Sequence, residues 1–223
     1  MPGTVTTLQV NPADLRNPRI IEAPRRALAD GEVRFRVDRF ALTANNITYA
    51  KAGSFLGYME FFPLAADGAW RSIPVMGHAD VIASAHPEIE AGGRYFGFYP
   101  MAAEHIVSAS PRPSGLVDAG AHREKHAPTY RQFERVPSPG DADREDTAAL
   151  LRGLFITSFL VEDFLDDNAN FGARSVLVTS ASSKTSISLG YCLRERGTPS
   201  VALTSPRNID AVRALGCYDS VIA

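Results

Sequence analysis

The segment from residue 174 to residue 223 constrains the fold more than any other part of the chain. Three short runs rich in β-branched residues alternate there with two stretches of helical apolar spacing. In chain order, they are Ser175–Thr179, Thr185–Arg196, Ser200–Thr204, Pro206–Leu215 and Ser220–Ala223. Gly197 and Gly216 follow the two helical stretches, as glycine commonly does at a helix end. Strands and helices that alternate at this spacing predict an α/β fold containing the first half of a doubly wound parallel sheet.

The first part of the chain instead has the pattern of a small β structure. In Glu32–Thr43, apolar Val33, Phe35 and Val37 alternate with charged residues, which is the period of a half-buried strand. Further strand candidates are Val75–Ser84, Tyr95–Tyr99 and Glu104–Ser108. Glycines and prolines then break the chain repeatedly, at Gly53, Gly57, Pro63, Gly68 and Pro74, so we expect a loop-rich region there. Several short strands separated by turns predict a β-barrel or a β-sandwich.

The character of the sequence changes near Arg144. Residues 109–145 are rich in proline and polar residues and predict an irregular excursion. Apolar residues then recur at helical spacing over Arg144–Asp166, and Asp146 or Thr147 can cap the start of this helix. The predicted domains are a β-rich domain over 1–145, a linker helix over 146–170 and the parallel-sheet domain over 171–223.

Charge and cysteine content exclude several classes of protein. The net charge of −2 predicts no attraction to nucleic acid or to an anionic membrane surface. Cys192 and Cys217 form no CxxC pair, so neither a disulfide framework nor a structural zinc site is expected. The N-terminus lacks the regions of a signal peptide, and no apolar run reaches the ~18–20 residues of a membrane span. We therefore expect a cytoplasmic protein whose partner is a small-molecule substrate.

Five segments together resemble one known superfamily. In chain order they are Ala41–Gly53 (ALTANNITYAKAG), Ile73–Ser84 (IPVMGHADVIAS), Gly92–Val107 (GGRYFGFYPMAAEHIV), Thr147–Leu165 (TAALLRGLFITSFLVEDFL) and Arg174–Gly197 (RSVLVTSASSKTSISLGYCLRERG). Their order and spacing resemble the medium-chain dehydrogenase/reductase superfamily, in its zinc-free quinone-oxidoreductase-like branch, over residues 32–223. Within that branch the chain looks closest to a domain of unknown function, DUF2855.

The resemblance implies a GroES-like β-barrel domain that binds substrate, followed by a partial Rossmann sheet that binds a dinucleotide. It also implies a zinc-free, NADP-dependent oxidoreductase that transfers hydride to an activated double bond or carbonyl. Full members of the superfamily continue with three more strands. We therefore expect the chain to be C-terminally truncated relative to them, with a sheet edge that a homo-oligomer could cover. The alternative is a non-catalytic family member that acts as a binding or assembly module.

The turn after the first parallel strand is the main candidate site. Where the superfamily has a glycine-rich turn, residues 180–186 here read SASSKTS, without glycine. The N–H groups at a helix N-terminus bind phosphate, and hydroxyl and ammonium groups can add further donors. The predicted phosphate-binding residues are Ser180, Ser182, Ser183, Lys184 and Thr185. Two alternatives stay open: a serine-rich N-cap that binds nothing, and a P-loop, although both glycines of that motif are absent.

The end of the second parallel strand indicates which dinucleotide the site prefers. A site that prefers NAD places a carboxylate there for the ribose 2′-hydroxyl, whereas an arginine accommodates a 2′-phosphate. In this chain, Thr204, Ser205 and Arg207 offer hydroxyls and a guanidinium, and no carboxylate is present among residues 204–208. The predicted cofactor is therefore NADP. The alternative is that Arg207 is a solvated residue in the first turn of the next helix.

Asn45 and Tyr49 are the candidate catalytic residues, because the resemblance implies that they line the nicotinamide pocket. A tyrosine hydroxyl can protonate an enolate after hydride addition, or it can orient a carbonyl. The alternative is that Tyr49 packs among the aromatic residues found between positions 55 and 62.

His78 lies where the zinc-dependent branch of the superfamily carries a metal ligand. A catalytic zinc needs three protein ligands, and the preceding loop offers Ala44, Asn45 and Asn46 but no cysteine. We therefore predict no metal site and expect His78 to be a hydrogen-bonded strand residue.

Overall fold

A computed structural model describes residues 3–64, 68–137 and 140–223. The chain forms two compact units, Met1–Leu150 and Leu151–Ala223. The domain bounds drawn from the sequence, 1–145, 146–170 and 171–223, stay a prediction. The strands are β1 (Thr4–Asn11), β2 (Asp14–Pro24), β3 (Glu32–Ala41), β4 (Pro74–Ser84), β5 (Arg94–Pro100), β6 (Glu104–Arg112), β7 (Gly115–Asp118), β8 (Gln132–Arg135), β9 (Val176–Val178), β10 (Ser200–Leu203) and β11 (Ser220–Ile222). The α-helices are α1 (Ala44–Leu56), α2 (Ala142–Asp167), α3 (Lys184–Arg196) and α4 (Ile209–Ala214). None of the helices in these ranges is long and apolar enough to cross a lipid bilayer.

The first unit contains a closed six-stranded barrel. Its strands follow the order β3-β4-β5-β8-β7-β6, and the pairs that close it are antiparallel. Val33 and Phe35 are completely buried inside, as their alternation predicts, and the Phe35 and Tyr99 ring centroids lie 5.5 Å apart. Gly77 of β4 permits the close pairing with β3, because a Cβ there would collide with the Arg39 carbonyl oxygen. The predicted β-barrel is confirmed.

The sequence patterns did not indicate the hairpin that precedes the barrel. β1 and β2 pair antiparallel, but most residues of β2 are exposed, so its sequence lacks a clear alternation. The Leu8 N–H donates to the Met101 carbonyl oxygen at 2.8 Å, and the Val10 N–H donates to the Arg71 carbonyl oxygen at 3.0 Å. These bonds attach the hairpin to the barrel.

The loop-rich region predicted from Gly53 to Pro74 begins inside a helix, because α1 extends from Ala44 to Leu56. The Thr43 side chain accepts a hydrogen bond from the Asn45 N–H at 3.3 Å, and the Asn46 side chain accepts one from the Thr43 N–H at 2.7 Å. This reciprocal capping starts a helix that the apolar pattern does not show. Gly57, with a φ of 78°, ends it. Residues 65–67 of the predicted loop lie outside the described residues.

The excursion predicted over residues 109–145 is only partly irregular. Its two ends belong to β6 and α2, and β7 and β8 between them complete the barrel. Each of these two strands has only four residues, which is too short for an alternation to be recognised. Ser138 and Pro139 lie outside the described residues.

Arg123 fixes the connection between β7 and β8 on the barrel. Its side chain is completely buried, donates to the Tyr130 carbonyl oxygen and lies 3.5 Å from the Asp118 carboxylate. The guanidinium also lies 4.3 Å from the centroid of the Phe61 ring, where a cation–π contact is favourable. Burial lowers the pKa of Arg123 to about 10, so it stays charged at neutral pH.

The second unit contains a parallel sheet in the order β11-β10-β9. The predicted first half of a doubly wound sheet is therefore confirmed. The helix predicted over Pro206–Leu215 divides into a 3₁₀ turn at Pro206–Asn208 and the short α4. Such turns are common at helix starts, and Pro206 has no N–H to donate there. Ala181, Ala202 and Val212 form the buried core of this unit.

Candidate functional site

The turn between β9 and α3 adopts a left-handed backbone conformation without a glycine. Ser180 has a φ of 50°, in the region that glycine adopts most readily. The Ser183 N–H donates to the Ser180 carbonyl oxygen at 2.8 Å and closes the turn. Ala181 is completely buried, and its N–H donates to the Leu203 carbonyl oxygen of β10 at 3.1 Å. The turn is therefore fixed both internally and to the neighbouring strand.

Ser183 caps α3 with its own side chain. Its hydroxyl accepts a hydrogen bond from the Ser186 N–H at 3.2 Å and donates to the Ser186 hydroxyl at 2.9 Å. The Ser186 hydroxyl donates in turn to the Thr179 carbonyl oxygen at 2.9 Å. The cap thus uses one N–H group that a bound phosphate could otherwise accept from. The N–H groups of Lys184 and Thr185 open the helix and have no acceptor within it.

Tyr218 and Ser158 hold the start of α3 in place. The Tyr218 hydroxyl donates to the Ser186 carbonyl oxygen at 2.6 Å. Its ring packs so closely on Gly190 that a Cβ there would lie 2.5 Å from a ring carbon. The Ser158 hydroxyl, completely buried in α2, donates to the Thr185 carbonyl oxygen at 2.7 Å. Sequence analysis missed both residues, because no local pattern indicates a partner 27 or more positions away.

The end of β10 lies beside this turn. The Asn208 side-chain amide donates to the Ser182 hydroxyl oxygen at 3.1 Å, so the two predicted parts of the cofactor site are in contact. Ser205 and Arg207 are exposed, whereas Thr204 is buried. Sequence analysis did not single out Asn208. Its position directly after Arg207 was the available signal, but its partner lies 26 residues away.

The residues present fit a 2′-phosphorylated dinucleotide well at one end of this site and less well at the other. At the end of β10, the exposed Arg207 offers a cation, and residues 204–208 include no carboxylate. In the turn, Lys184 and the two open N–H groups can take a pyrophosphate. The Ser183 hydroxyl, however, already occupies the next donor, which a glycine would leave open.

Asn45 and Tyr49 lie one turn apart on α1, in the first unit. Burial raises the pKa of the Tyr49 hydroxyl, so it stays protonated at neutral pH. The Tyr49 ring packs on Tyr58 at 4.3 Å between centroids, and the Tyr58 and Tyr130 hydroxyl oxygens lie 3.2 Å apart. Phe55, in contrast, is 91% exposed. Tyr49 thus packs as an aromatic residue and keeps a hydroxyl proton to donate; its catalytic role stays a prediction.

His78 is almost completely buried in β4 and packs on the Phe96 ring at 5.3 Å between centroids. Burial lowers its pKa, so the imidazole is neutral at pH 7. The expected hydrogen bond is not made at Nδ1, which has no partner among the described residues. Within the same ranges, no group of three or more His, Cys, Asp or Glu side chains could hold a metal ion.

Comparison with known proteins relates this geometry to a family. Over residues 40–223 the chain matches the family described as "Protein of unknown function (DUF2855)". No curated protein sequence matches the chain.

Several solved structures share the fold at low sequence identity. The human synaptic vesicle membrane protein VAT-1 homolog-like protein has a TM-score of 0.60 and 13% identity, over 99% of this chain and 62% of its own. The quinone oxidoreductase from Coxiella burnetii has a TM-score of 0.54 and 14% identity, over 99% and 62%. The JamJ enoyl reductase has a TM-score of 0.60 and 14% identity, over 98% and 59%. The chain thus has the fold of medium-chain quinone and enoyl oxidoreductases and spans less than two thirds of these structures.

Proposed function

The chain belongs to the DUF2855 family, and from that premise we propose that it is a zinc-free oxidoreductase that uses NADP. It transfers hydride to an activated double bond or carbonyl of a small molecule. The observation that carries this proposal is the Asn208–Ser182 hydrogen bond of 3.1 Å, which joins the start of α3 to the end of β10. A doubly wound sheet binds the pyrophosphate of a dinucleotide at the first place and its ribose at the second. The oxidoreductases that share this fold support the same class.

Three residues hold the cofactor in this proposal. The N–H groups of Lys184 and Thr185 and the Lys184 ammonium bind the pyrophosphate at the positive end of the α3 dipole. Arg207, exposed at the end of β10, pairs with the 2′-phosphate. The bound nicotinamide supplies the hydride.

Tyr49 and Asn45 act on the substrate. Because burial raises its pKa, the Tyr49 hydroxyl is protonated at neutral pH and can donate to a substrate oxygen. Asn45, one turn before Tyr49 on α1, is the second polar side chain that this proposal offers to the substrate. The proposal includes neither a nucleic-acid partner nor a membrane partner, since the net charge of −2 offers no attraction to either.

Calorimetric titration of the full chain with NADPH and with NADH tests the cofactor. We expect saturable binding that favours NADPH at least tenfold, because a hydrogen bond to a charged group contributes about 1.5–3 kcal/mol. Arg207→Ala should remove most of this preference, whereas Lys184→Ala should weaken binding of both cofactors. Arg174→Ala is the matched control, because Arg174 is equally exposed but precedes β9, at the other end of the strands. Equal affinity of the unaltered chain for NADPH and NADH would contradict the choice of NADP.

The Ser183 cap favours a second candidate function. In a non-catalytic family member, the start of α3 needs no ligand, because the Ser183 hydroxyl already satisfies the Ser186 N–H. Such a chain is a binding or assembly module. If neither this chain nor a longer version of it binds NADPH, the oxidoreductase proposal fails and this one replaces it. Binding by the longer version alone would keep the oxidoreductase proposal and locate the missing contacts outside this chain.

A further inference from the structure

A cavity of about 460 Å³ opens in the first unit between the hairpin and α1. Three separate parts of the chain build it: the hairpin, the first turns of α1, and the barrel. Representative wall residues from these parts are Leu8 and Leu15, Ile47 and Ala50, and Ile73 and Met101. Residues three or four apart lie on the same face of a helix, so Ile47 and Ala50 share one face of α1, and Asn45 and Tyr49 share another. These two faces are about half a turn apart around the helix axis. The cavity is therefore separate from the predicted catalytic residues.

The polar groups in the wall are already used. Among the lining residues that the structure describes, only Thr43 and Asn46 have polar side chains. The Asn46 amide donates to the Pro74 carbonyl oxygen at 3.0 Å and its carbonyl accepts from the Thr43 N–H at 2.7 Å, while the Thr43 hydroxyl accepts from the Asn45 N–H at 3.3 Å. None of the described residues that line the cavity has a charged side chain. A ligand in it would find neither an ion-pair partner nor an open amide, only apolar surface.

The cavity is preformed at its base and open at its rim. Ala50, Ile73 and Met101 are buried, so side chains that pack into the barrel hold the base rigid. At the rim, Leu42 is 69% exposed and Ile47 is 60% exposed, although both are large and apolar. The volume of about 460 Å³ lies within the 300–1,000 Å³ of small-molecule sites.

We propose that this cavity binds a small uncharged molecule through an aliphatic chain. The walls exclude an ionised ligand, because a charge inside would lose its hydration and gain no partner. They favour a chain of methylene groups, because apolar burial is the interaction that the cavity offers along its length. This site does not depend on dinucleotide binding, so it can be tested whether or not the chain is an oxidoreductase.

Calorimetric titration of the full chain with 1-butanol, 1-hexanol and 1-octanol tests the proposal. We expect saturable binding that strengthens about fourfold per added methylene, which corresponds to the ~0.8 kcal/mol of a buried CH₂ group. Octanoate, of the same length but ionised at pH 7, should bind at least tenfold more weakly than 1-octanol. An affinity that does not rise with chain length, or octanoate binding as tightly as 1-octanol, would overturn the proposal.

Substitutions on α1 test whether the alcohols bind in this cavity. Ala50→Leu fills the base and Ala44→Phe fills the rim, so each should weaken 1-octanol binding at least tenfold. Thr48→Phe is the matched control, because Thr48 is exposed on the same helix but does not line the cavity; it should leave binding unchanged. If Ala50→Leu does not fold, 1-octanol binding by Ala44→Phe, a substitution at an exposed position, is the test of the site. If Ala44→Phe binds 1-octanol as tightly as the unaltered chain, the alcohols bind elsewhere and the proposed site is wrong.

Discussion

At the scale of single residues, Ser180 and Ser183 of the 180–186 turn differ in how they compare with a glycine. Ser180 adopts a left-handed φ of 50°, which costs a non-glycine residue roughly 1–2 kcal/mol. Ser183 does the opposite of what a glycine would do, because its hydroxyl covers the Ser186 N–H instead of leaving it open to a phosphate. The same side chain thus stabilises α3 and competes with a ligand for the helix N-terminus.

Ser183→Gly should separate these two effects. A glycine N-cap costs a helix only a few tenths of a kcal/mol, so the variant should fold with nearly unchanged stability. If the turn binds a pyrophosphate, the freed Ser186 N–H should strengthen NADPH binding about tenfold, as one more hydrogen bond to a charged group. Titration calorimetry and urea unfolding measure both quantities. Ser114→Gly is the control, because Ser114 is exposed between β6 and β7 of the first unit and belongs to no part of the cofactor site. Unchanged affinity in Ser183→Gly would show that the cap does not compete.

At the scale of elements, an arginine attaches the first turn of α2 to the barrel. Arg94 of β5 forms two hydrogen bonds of 2.6 Å with Glu145 of α2, and it also pairs with Asp80 at 3.1 Å and Asp38 at 2.6 Å. The Arg94 and Glu145 side chains are 11% and 6% exposed. The bidentate pair with Arg94 lowers the pKa of Glu145 below its usual 4.5. Arg94 therefore attaches the first turn of the long helix to the barrel, together with Arg39, which lies 3.6 Å from Glu145 and 3.2 Å from Asp146.

Arg94→Met should destabilise the first unit by up to about 3–5 kcal/mol at pH 7, because it removes the bidentate partner of the buried Glu145 carboxylate and leaves only the 3.6 Å pair with Arg39. A carboxylate with a lowered pKa stabilises the fold above pH 4.5, and this contribution disappears as the pH falls through its folded-state pKa. The difference from the unaltered chain should therefore shrink in acid.

Urea unfolding between pH 3 and pH 7 measures this difference. Arg36→Met is the matched control, because Arg36 pairs with Asp80 at 3.0 Å but is 62% exposed, and an exposed pair contributes at most about 1 kcal/mol. If the two variants lose the same stability, or if the Arg94→Met loss is independent of pH, the buried pair does not hold the helix.

At the scale of the whole molecule, the two units differ in their sheets, because one is closed and the other is open. The barrel closes on itself and leaves no free edge among its six strands. The second unit exposes large apolar side chains on α2 and on its sheet. They are Phe155, Ile156, Phe159, Leu160, Val161, Phe164, Leu177 and Ile222. Soluble monomers rarely expose contiguous apolar patches beyond a few hundred Å², so we expect copies of this chain to associate.

Sedimentation velocity over a concentration series should show this self-association. Leu160→Glu places a charge on the apolar face of α2, where Leu160 is 58% exposed, and should shift the association to concentrations at least tenfold higher. Phe55→Glu is the control, because Phe55 is 91% exposed on α1 of the first unit and should have no such effect. If the unaltered chain stays monomeric at the highest concentrations, the expected homo-oligomer does not form.

The sequence by itself determined the features that depend on neighbours along the chain. The alternation around Val33 and Phe35 predicted a barrel strand, and the β-branched runs after residue 174 predicted the parallel sheet, because side-chain periodicity follows directly from backbone geometry. The sequence also predicted that the 180–186 turn and Arg207 lie near each other, because each follows a parallel strand and the carboxyl ends of parallel strands lie at one edge of the sheet.

The tertiary structure decided the features that depend on residues far apart in the chain. α1 starts from a reciprocal cap at Thr43 and not from an apolar period, and β7 and β8 are strands only because the barrel pairs them. The start of α3 is held by Ser158 and Tyr218, whose partners lie 27 and 32 positions away. A hydrogen bond depends on distances and angles that packing sets, so the sequence could name the serine hydroxyls of the turn but not what each of them binds.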